Sequence, residues 1–181
     1  MSNSGIKNMG KLAEERFCAI TGATDDIPAK VGDVKLSLPE GGHIIGEIKG
    51  PTLNQVRPSH YLPHAVPISP PGKQPISDDF WWVMSAVDVL KECFYKNGSK
   101  MKAGQHTPNP MSVIGLGDVR KLTHGKVVKK ENLKEAFIQA YREGEENLEA
   151  KKYAAKCLAA EQRLVQEVHE GGMKLRSKLF D

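Results

Sequence analysis

Hydrophobic and polar residues alternate along residues 33–38 and again along residues 43–49. Side chains on a β-strand point to opposite faces in turn, so each segment predicts a strand with one apolar face and one polar face. The intervening residues 39–43, Pro-Glu-Gly-Gly-His, are typical of a turn. The two strands are therefore expected to form an antiparallel hairpin.

The polar face of this hairpin carries acidic residues and a lysine. Glu47 and Lys49 project together from the second strand. We expect Leu38 to pair with Ile44, and that register places Asp33 opposite Lys49. Two carboxylates and an ammonium group then share one patch at a strand end.

The remaining pattern alternates between helical and extended segments. Residues 8–20 predict a short amphipathic helix, and Ser77-Asp78-Asp79 predicts the start of a helix through Lys96. Between them, Pro51–Pro75 holds seven of the eleven prolines and predicts a long loop. Met111–Leu116 predicts a third strand of the sheet, and Val119–Val128 a small basic hairpin.

The longest regular segment is predicted for residues 132–170, with Gly171-Gly172 as its end. A helix packed along its own domain, a helical hairpin broken at Gly144 and a dimer-forming helix all fit its apolar spacing. The order of elements predicts an α/β fold with a mixed sheet flanked by helices and a long C-terminal helical segment. We expect one domain over residues 1–181, with a core over 1–130 and the helical segment over 131–172.

Composition is consistent with an intracellular domain. The chain has 181 residues and a formal net charge of +4. Its cysteines, Cys18, Cys93 and Cys157, are few and widely separated, which predicts no disulfide framework. No signal peptide and no stretch of ~20 apolar residues is present, so a cytoplasmic location is expected.

Basic residues concentrate in residues 91–130, where Glu92 and Asp118 are the acidic ones. Such a segment suits a nucleic-acid backbone, because neutralised phosphates release condensed counterions. A solvated lysine-rich surface is the simpler alternative.

The chemistry of the hairpin patch points to metal-assisted phosphodiester hydrolysis. Mg²⁺ takes oxygen ligands, commonly one or two carboxylates with waters and substrate phosphate, and it polarises the phosphoryl group. A neighbouring lysine offsets the charge that develops on the phosphate. An ordinary hairpin with cross-strand ion pairs is the alternative.

With these residues the chain resembles the PD-(D/E)xK nuclease superfamily, which has the restriction endonuclease-like fold. Asp33 matches the first acid and Glu47-Ile48-Lys49 matches the E-x-K, while Gly32 replaces the usual proline. The family's acidic residue on an N-terminal helix is matched first by Glu14 and alternatively by Glu15. A second E-x-K, Glu149-Ala150-Lys151, lies in a helical pattern and lacks this context.

The resemblance implies an Mg²⁺-dependent endonuclease of double-stranded DNA, most like a small type II restriction endonuclease and acting as a homodimer. Asp33 and Glu47 would bind the metal, Lys49 would serve the attacking water, and Glu14 would support the site. The alternatives are a structure-specific nuclease, such as a Holliday junction resolvase or repair nuclease, and a non-catalytic DNA-binding protein.

Candidate DNA contacts come from the proline-rich loop and the basic segment. A zinc site at His60 and His64 is disfavoured, because Pro58 and Pro63 argue against the helix that this spacing needs. The expected DNA-binding residues are Arg57, His60, Lys100, Lys102, Gln105, His106, Asn109, Arg120 and Lys121.

These expectations separate phosphate contacts from base contacts. Lys102→Ala or Lys121→Ala should weaken binding equally on every duplex and lower the salt slope by roughly one unit. Gln105→Ala should cost about 1–3 kcal/mol of binding free energy on the preferred site alone. Anisotropy titrations over several salt concentrations, on cognate and scrambled duplexes, measure both. Equal losses on both duplexes for all three variants would show that sequence is read elsewhere.

Overall fold

The protein folds around a mixed five-stranded sheet covered on both faces. The computed structural model describes residues 3–28, 31–53, 56–69, 78–97 and 115–180. The helices and strands are, in chain order, α1 (Asn3–Thr21), β1 (Val34–Ser37), β2 (His43–Ile48), β3 (Thr52–Leu53), β4 (His64–Pro67), β5 (Phe80–Met84), α2 (Ala86–Asn97), β6 (Gly117–Asp118), β7 (Lys126–Lys129), α3 (Leu133–Glu146) and α4 (Leu148–Phe180).

The sheet has the order β1-β2-β4-β5-β7, and β3 pairs with β6 in a separate two-stranded sheet. All neighbouring pairs of the large sheet are antiparallel except β2 and β4, which are parallel. The predicted α/β class, with a mixed sheet, flanking helices and a C-terminal helical segment, is confirmed at this level. No helix in the described part of the chain is both long and apolar enough to cross a membrane.

Two hydrophobic clusters cover the two faces of the sheet. On one face, α1 and α3 bury Phe17 and Phe137, whose ring centroids lie 4.8 Å apart. The Phe17 ring also meets Trp81 of β5 at 5.9 Å, edge to face. On the other face, Met84 of β5 packs with residues from α2 and from the segment around β6, including Val89 and Leu116. Strands buried on both faces in this way are apolar on both sides.

The predicted hairpin is present, but its register differs from the prediction by two residues. Leu36 pairs with Ile44, whereas Leu38 lies in the turn. The turn comprises residues 38–42 instead of 39–43, and within it Gly41 and Gly42 adopt φ values of 98° and 82° that favour glycine. A shift of two residues preserves the face of every side chain. The acidic residues and Lys49 therefore keep their predicted common face.

The predicted loop Pro51–Pro75 contains regular structure. Its described part includes β3, a 3₁₀ turn at Pro58–His60, and β4, which lies in the middle of the sheet. Prolines at 63 and 67 lie at the boundaries of β4, and Pro63 still accepts a hydrogen bond from the Glu47 N–H. Proline is tolerated at the ends of a strand because the N–H that it lacks is not needed for pairing in the strand interior.

The helix predicted from Ser77 to Lys96 is wrong in its first half, which forms β5. The helix α2 begins after Ser85, whose hydroxyl accepts from the Asp88 N–H while the Asp88 carboxylate accepts from the Ser85 N–H. These two reciprocal hydrogen bonds form a capping box, so Ser85 and Asp88 mark the true start of the helix in the sequence. The predicted cap residues Asp78 and Asp79 precede the strand instead.

Three predictions about the C-terminal half need correction. The Val119–Val128 hairpin is absent, since β7 pairs with β5. The third strand of the sheet along the chain is β4, not Met111–Leu116, whose first four residues lie outside the described ranges. The long helix is divided at Asn147, which caps α4 by accepting from the Ala150 N–H. Helix α4 then passes Gly171-Gly172 and ends at Phe180.

Close packing at Gly46 of β2 predicts a stability effect. A Cβ at this position would lie 2.8 Å from Cε1 of Phe137 and nearer still to its Cζ. Because Phe137 is fully buried, Gly46→Ala should destabilise the protein by about 1–3 kcal/mol. Urea unfolding measures this loss. The control is Gly10→Ala in α1, where a Cβ meets nothing within 4 Å, and this variant should be neutral or stabilising.

Candidate functional site

Strand pairing brings Asp33, Glu47 and Lys49 together at one end of the hairpin. The Asp33 N–H donates to the Gly46 carbonyl at 2.9 Å, which extends the β1–β2 pairing by one residue. Asp33 therefore lies beside the end of β2. Glu47 is the last residue but one of β2, and Lys49 is the first residue after the strand ends.

The Lys49 ammonium contacts both carboxylates. Its Nζ lies 2.9 Å from Oδ2 of Asp33 and forms an ion pair with Oε2 of Glu47. The same Asp33 oxygen accepts the Ile48 N–H at 2.9 Å. The three charged side chains are only 10–23% exposed, so solvent screens their interactions weakly.

The two carboxylates have pKa values displaced in opposite directions. Burial raises the pKa of Asp33 above its ordinary value of 3.8, and the nearby Glu47 carboxylate raises it further. Burial also acts to raise the pKa of Glu47. The hydrogen bond from His60 and the charge of Lys49 outweigh it, so the pKa of Glu47 lies far below 4.5. Neighbouring acids with separated pKa values are typical of catalytic sites.

Lys49 remains an ammonium group at neutral pH. Burial acts to lower the pKa of Lys49, but the charges of Glu47 and Asp33 reverse this effect and hold its pKa above 10.5. Lys49 can therefore donate hydrogen bonds and positive charge. It is not poised to remove a proton.

Helix α1 contributes a third acid beside this pair. Burial raises the pKa of Glu14, and the charge of Asp33 raises it further. Glu14 lies one turn from Lys11, whose Nζ is 3.8 Å from its Oε2. The neighbouring Glu15 is exposed. Of the two acids matched to the N-terminal helix, Glu14 is the one whose charge interacts with the hairpin acids.

Two histidines reach the site, His60 from the 3₁₀ turn before β4 and His64 from the first position of β4. His60 Nδ1 lies 3.2 Å from Oε1 of Glu47, and it must donate, since an ionised carboxylate only accepts. His64 is buried opposite Glu47 in the parallel pair, and its Nδ1 donates to the Leu62 carbonyl at 2.9 Å. Burial, with a smaller effect of Lys49, lowers the pKa of His64 to about 4. His64 is therefore neutral at physiological pH.

The predicted DNA-binding residues are placed only in part. Arg57 is exposed beside the 3₁₀ turn that carries His60. Arg120 donates from Nε to the Asp118 carboxylate at 2.9 Å, and Lys121 beside it is exposed. These residues follow β6, which pairs with β3, and β3 begins three residues after Lys49. The other expected contacts, Lys100, Lys102, Gln105, His106 and Asn109, lie outside the described residues.

The oxygen donors of the site suit a hard cation. Within the described ranges, no group of three or more His, Cys, Asp or Glu side chains is arranged to hold a metal ion. Asp33 and Glu47 supply two carboxylates, and Mg²⁺ is commonly bound by one or two carboxylates that leave room for waters and phosphate. A closed four-ligand site of the zinc type does not fit these residues.

The contact between His60 and Glu47 was missed by the sequence reasoning, which treated His60 as a DNA contact. The contact exists because β4 lies parallel to β2, so the chain must cross over and return past Glu47. The available signal was weak, because Ala65-Val66 is too short an apolar run to distinguish a buried strand from a loop.

No protein-family model, curated protein or solved structure matches this chain.

The buried His64 predicts a loss of stability in weak acid. Its pKa is about 4 in the folded protein and 6.5 ordinarily, so the unfolded chain takes up a proton first as the pH falls. The stabilising contribution is complete above about pH 6.5 and disappears towards pH 4, a change on the order of 3 kcal/mol of unfolding free energy. Urea unfolding in EDTA, at about pH 7 and about pH 4.5, measures it.

His64→Asn should reduce this pH dependence, whatever its effect on stability at neutral pH. The matched control is His43→Asn, because His43 is exposed on β2. An unchanged pH dependence in the His64 variant would show that another group titrates in this range.

Proposed function

We propose that this protein is an Mg²⁺-dependent endonuclease that hydrolyses phosphodiester bonds of double-stranded DNA. We further propose that its sheet and helices form a restriction endonuclease-like core and that it acts most like a small type II restriction endonuclease. The observation that carries the proposal is the contact of Lys49 with both Asp33 and Glu47 at the end of one hairpin. This joins the residues of the E-x-K pattern to the preceding acid in three dimensions.

Asp33 and Glu47 are the residues that would hold the metal. Their carboxylates face one patch, and the low pKa of Glu47 keeps it ionised at any physiological pH. When bound, Mg²⁺ would polarise the scissile phosphodiester and lower the pKa of a coordinated water. The Ile48 N–H orients the Asp33 carboxylate, and the His60 ring orients the Glu47 carboxylate.

Lys49 supplies positive charge beside these acids. An ammonium group has three N–H donors, and two are directed at Asp33 and Glu47. The third can donate to a water or to a phosphate oxygen. Because its pKa is raised, Lys49 orients the attacking water and offsets the charge on the phosphate rather than accepting a proton.

Glu14 extends the acidic side of the patch. Its raised pKa shows that a proton binds there more readily than to an isolated glutamate. Glu14 is therefore suited to accept a hydrogen bond from water beside Asp33 or to exchange a proton with it. We assign Glu14 a supporting role through its contact with water.

Two features support double-stranded DNA as the substrate and a homodimer as the active form. Arg57, next to the turn that carries His60, and Lys121, which follows the β6 strand paired with β3, are exposed basic residues. Helix α4 spans 33 residues, which corresponds to about 50 Å, and it exposes Leu148 and Leu158 by 67% and 42%. Two copies joined along such a helix would present two sites, one for each strand of the duplex.

Cleavage assays with plasmid and phage DNA test the proposal. The wild-type protein with Mg²⁺ should yield discrete fragments, and EDTA should prevent cutting. Asp33→Asn and Glu47→Gln should each lower the rate at least about 100-fold, because each removes a metal-binding oxygen. Lys49→Arg should also lose most activity, since the planar guanidinium does not fit the place of an ammonium group.

The matched control is Glu40→Gln, since Glu40 is exposed and forms an ion pair with Arg142 away from the hairpin acids. Full activity is expected for this variant. Preference for branched DNA over linear duplex would favour a structure-specific nuclease. If the wild-type protein binds DNA but never cuts it, the proposed activity is wrong. The ion pairs of Lys49 with Asp33 and Glu47 would then only stabilise the hairpin.

A further inference from the structure

Tyr61 follows His60 and has an unusual backbone conformation. Its φ is 47°, and among the described residues it is the non-glycine residue with a positive φ. A tyrosine has a Cβ that crowds the backbone in this left-handed region, so surrounding contacts must hold it there.

The Tyr61 hydroxyl is bonded to the junction between α3 and α4. It donates to the Gly144 carbonyl at 2.9 Å, and the Asn147 carbonyl lies 3.4 Å away. The Gly144 carbonyl also accepts from the Asn147 N–H at 3.2 Å, and the Asn147 carbonyl accepts from the Lys151 N–H at 3.0 Å, so Tyr61 joins the hydrogen bonds that close α3 and begin α4. Gly144 is buried, and a Cβ there would lie 3.9 Å from Cε1 of the Tyr61 ring. The aromatic ring and its hydroxyl are thus both seated against this junction.

His60 lies on the other side of this short segment, against Glu47. The two Glu47 oxygens have different partners: His60 donates to Oε1, and Lys49 binds Oε2. The orientation of this carboxylate therefore depends on both contacts. Lys49 belongs to the same hairpin, whereas His60 is held by the 3₁₀ turn and by Tyr61 beyond it.

We propose that Tyr61 is a positioning residue for Glu47. By binding the α3–α4 junction, Tyr61 fixes the turn that presents His60, and His60 in turn orients the carboxylate. The inference rests on the proposed role of Glu47 as a metal ligand. It adds that the geometry of the metal site is set in part by the junction between α3 and α4.

The test compares Tyr61→Phe with two other variants. Tyr61→Phe removes one oxygen atom and keeps the ring. Tyr141→Phe is the matched control, because Tyr141 lies on the same helix that Tyr61 contacts and packs against the core near α1. His60→Asn removes the ring that contacts Glu47. Far-ultraviolet circular dichroism and the thermal midpoint establish that each variant is folded.

Two readouts do not require activity. The first is the imidazole Cε1–Hε1 NMR signal of His60, assigned by its absence in His60→Asn. The second is the affinity for Mn²⁺ alone, measured by calorimetry without DNA. His60→Asn should weaken Mn²⁺ binding about 10–100-fold, as loss of a ligand-orienting group does. Tyr61→Phe should shift the His60 signal and weaken binding in the same direction by less, and Tyr141→Phe should change neither.

A His60 signal and an Mn²⁺ affinity that are both unchanged in folded Tyr61→Phe would overturn the inference. So would an equal change in Tyr141→Phe, because the effect would then not depend on the Tyr61 contact. If the wild-type protein binds no Mn²⁺, the proposed function and the metal-positioning role both fail. In that case a shifted His60 signal in Tyr61→Phe alone would still support the link between the junction and the turn.

Discussion

The ion pairs of Lys49 with Asp33 and Glu47 are the interaction on which the site depends. Two carboxylates that face one another repel, and without a cation between them one takes up a proton. The ammonium group offsets this repulsion, and its position after β2 follows from the alternation of side chains along the strand. The two acids can therefore lie close together, with the pKa of Glu47 far below its ordinary value.

The parallel pair β2–β4 is the second constraint. A parallel connection needs a crossover, and here the crossover holds β3, the 3₁₀ turn and Tyr61. It returns the chain beside Glu47 and places His64 directly opposite in the register. The surroundings of Glu47 therefore come from residues distant in sequence. The crossover of this strand pair supplies the His60 hydrogen bond that lowers the pKa of Glu47.

The hairpin and its acids could be predicted from local alternation, whereas the surroundings could not. The faces of Asp33, Glu47 and Lys49 were predicted correctly, because a register error of two residues leaves the faces unchanged. The position of the turn was predicted one residue too late, since it depends on the conformations of Gly41 and Gly42, which composition alone does not specify. β5 was taken for a helix because a strand covered on both faces is apolar throughout and shows no period of two.

Prolines misled the prediction in the crossover, where they mark the ends of β4 and not its absence. The contact of His60 with Glu47 depends on β4, so a prediction without this strand also missed the contact. The division of the C-terminal segment at Asn147 was only partly predicted, because the candidate break at Gly144 lies one turn earlier. Gly144 has a different structural role, since its carbonyl accepts a hydrogen bond from the Tyr61 hydroxyl.

Helix α3 contacts the surroundings of Glu47 from two directions. Phe137 presses on Gly46, the residue before Glu47 on β2, and Gly144 receives Tyr61, the residue after His60. Seven residues of one helix, about 10 Å along its axis, separate these contacts. The strand that carries Glu47 and the turn that carries His60 thus both pack against the same helix, α3. A change in the position of α3 would therefore move the strand and the turn together and leave their relative geometry unchanged.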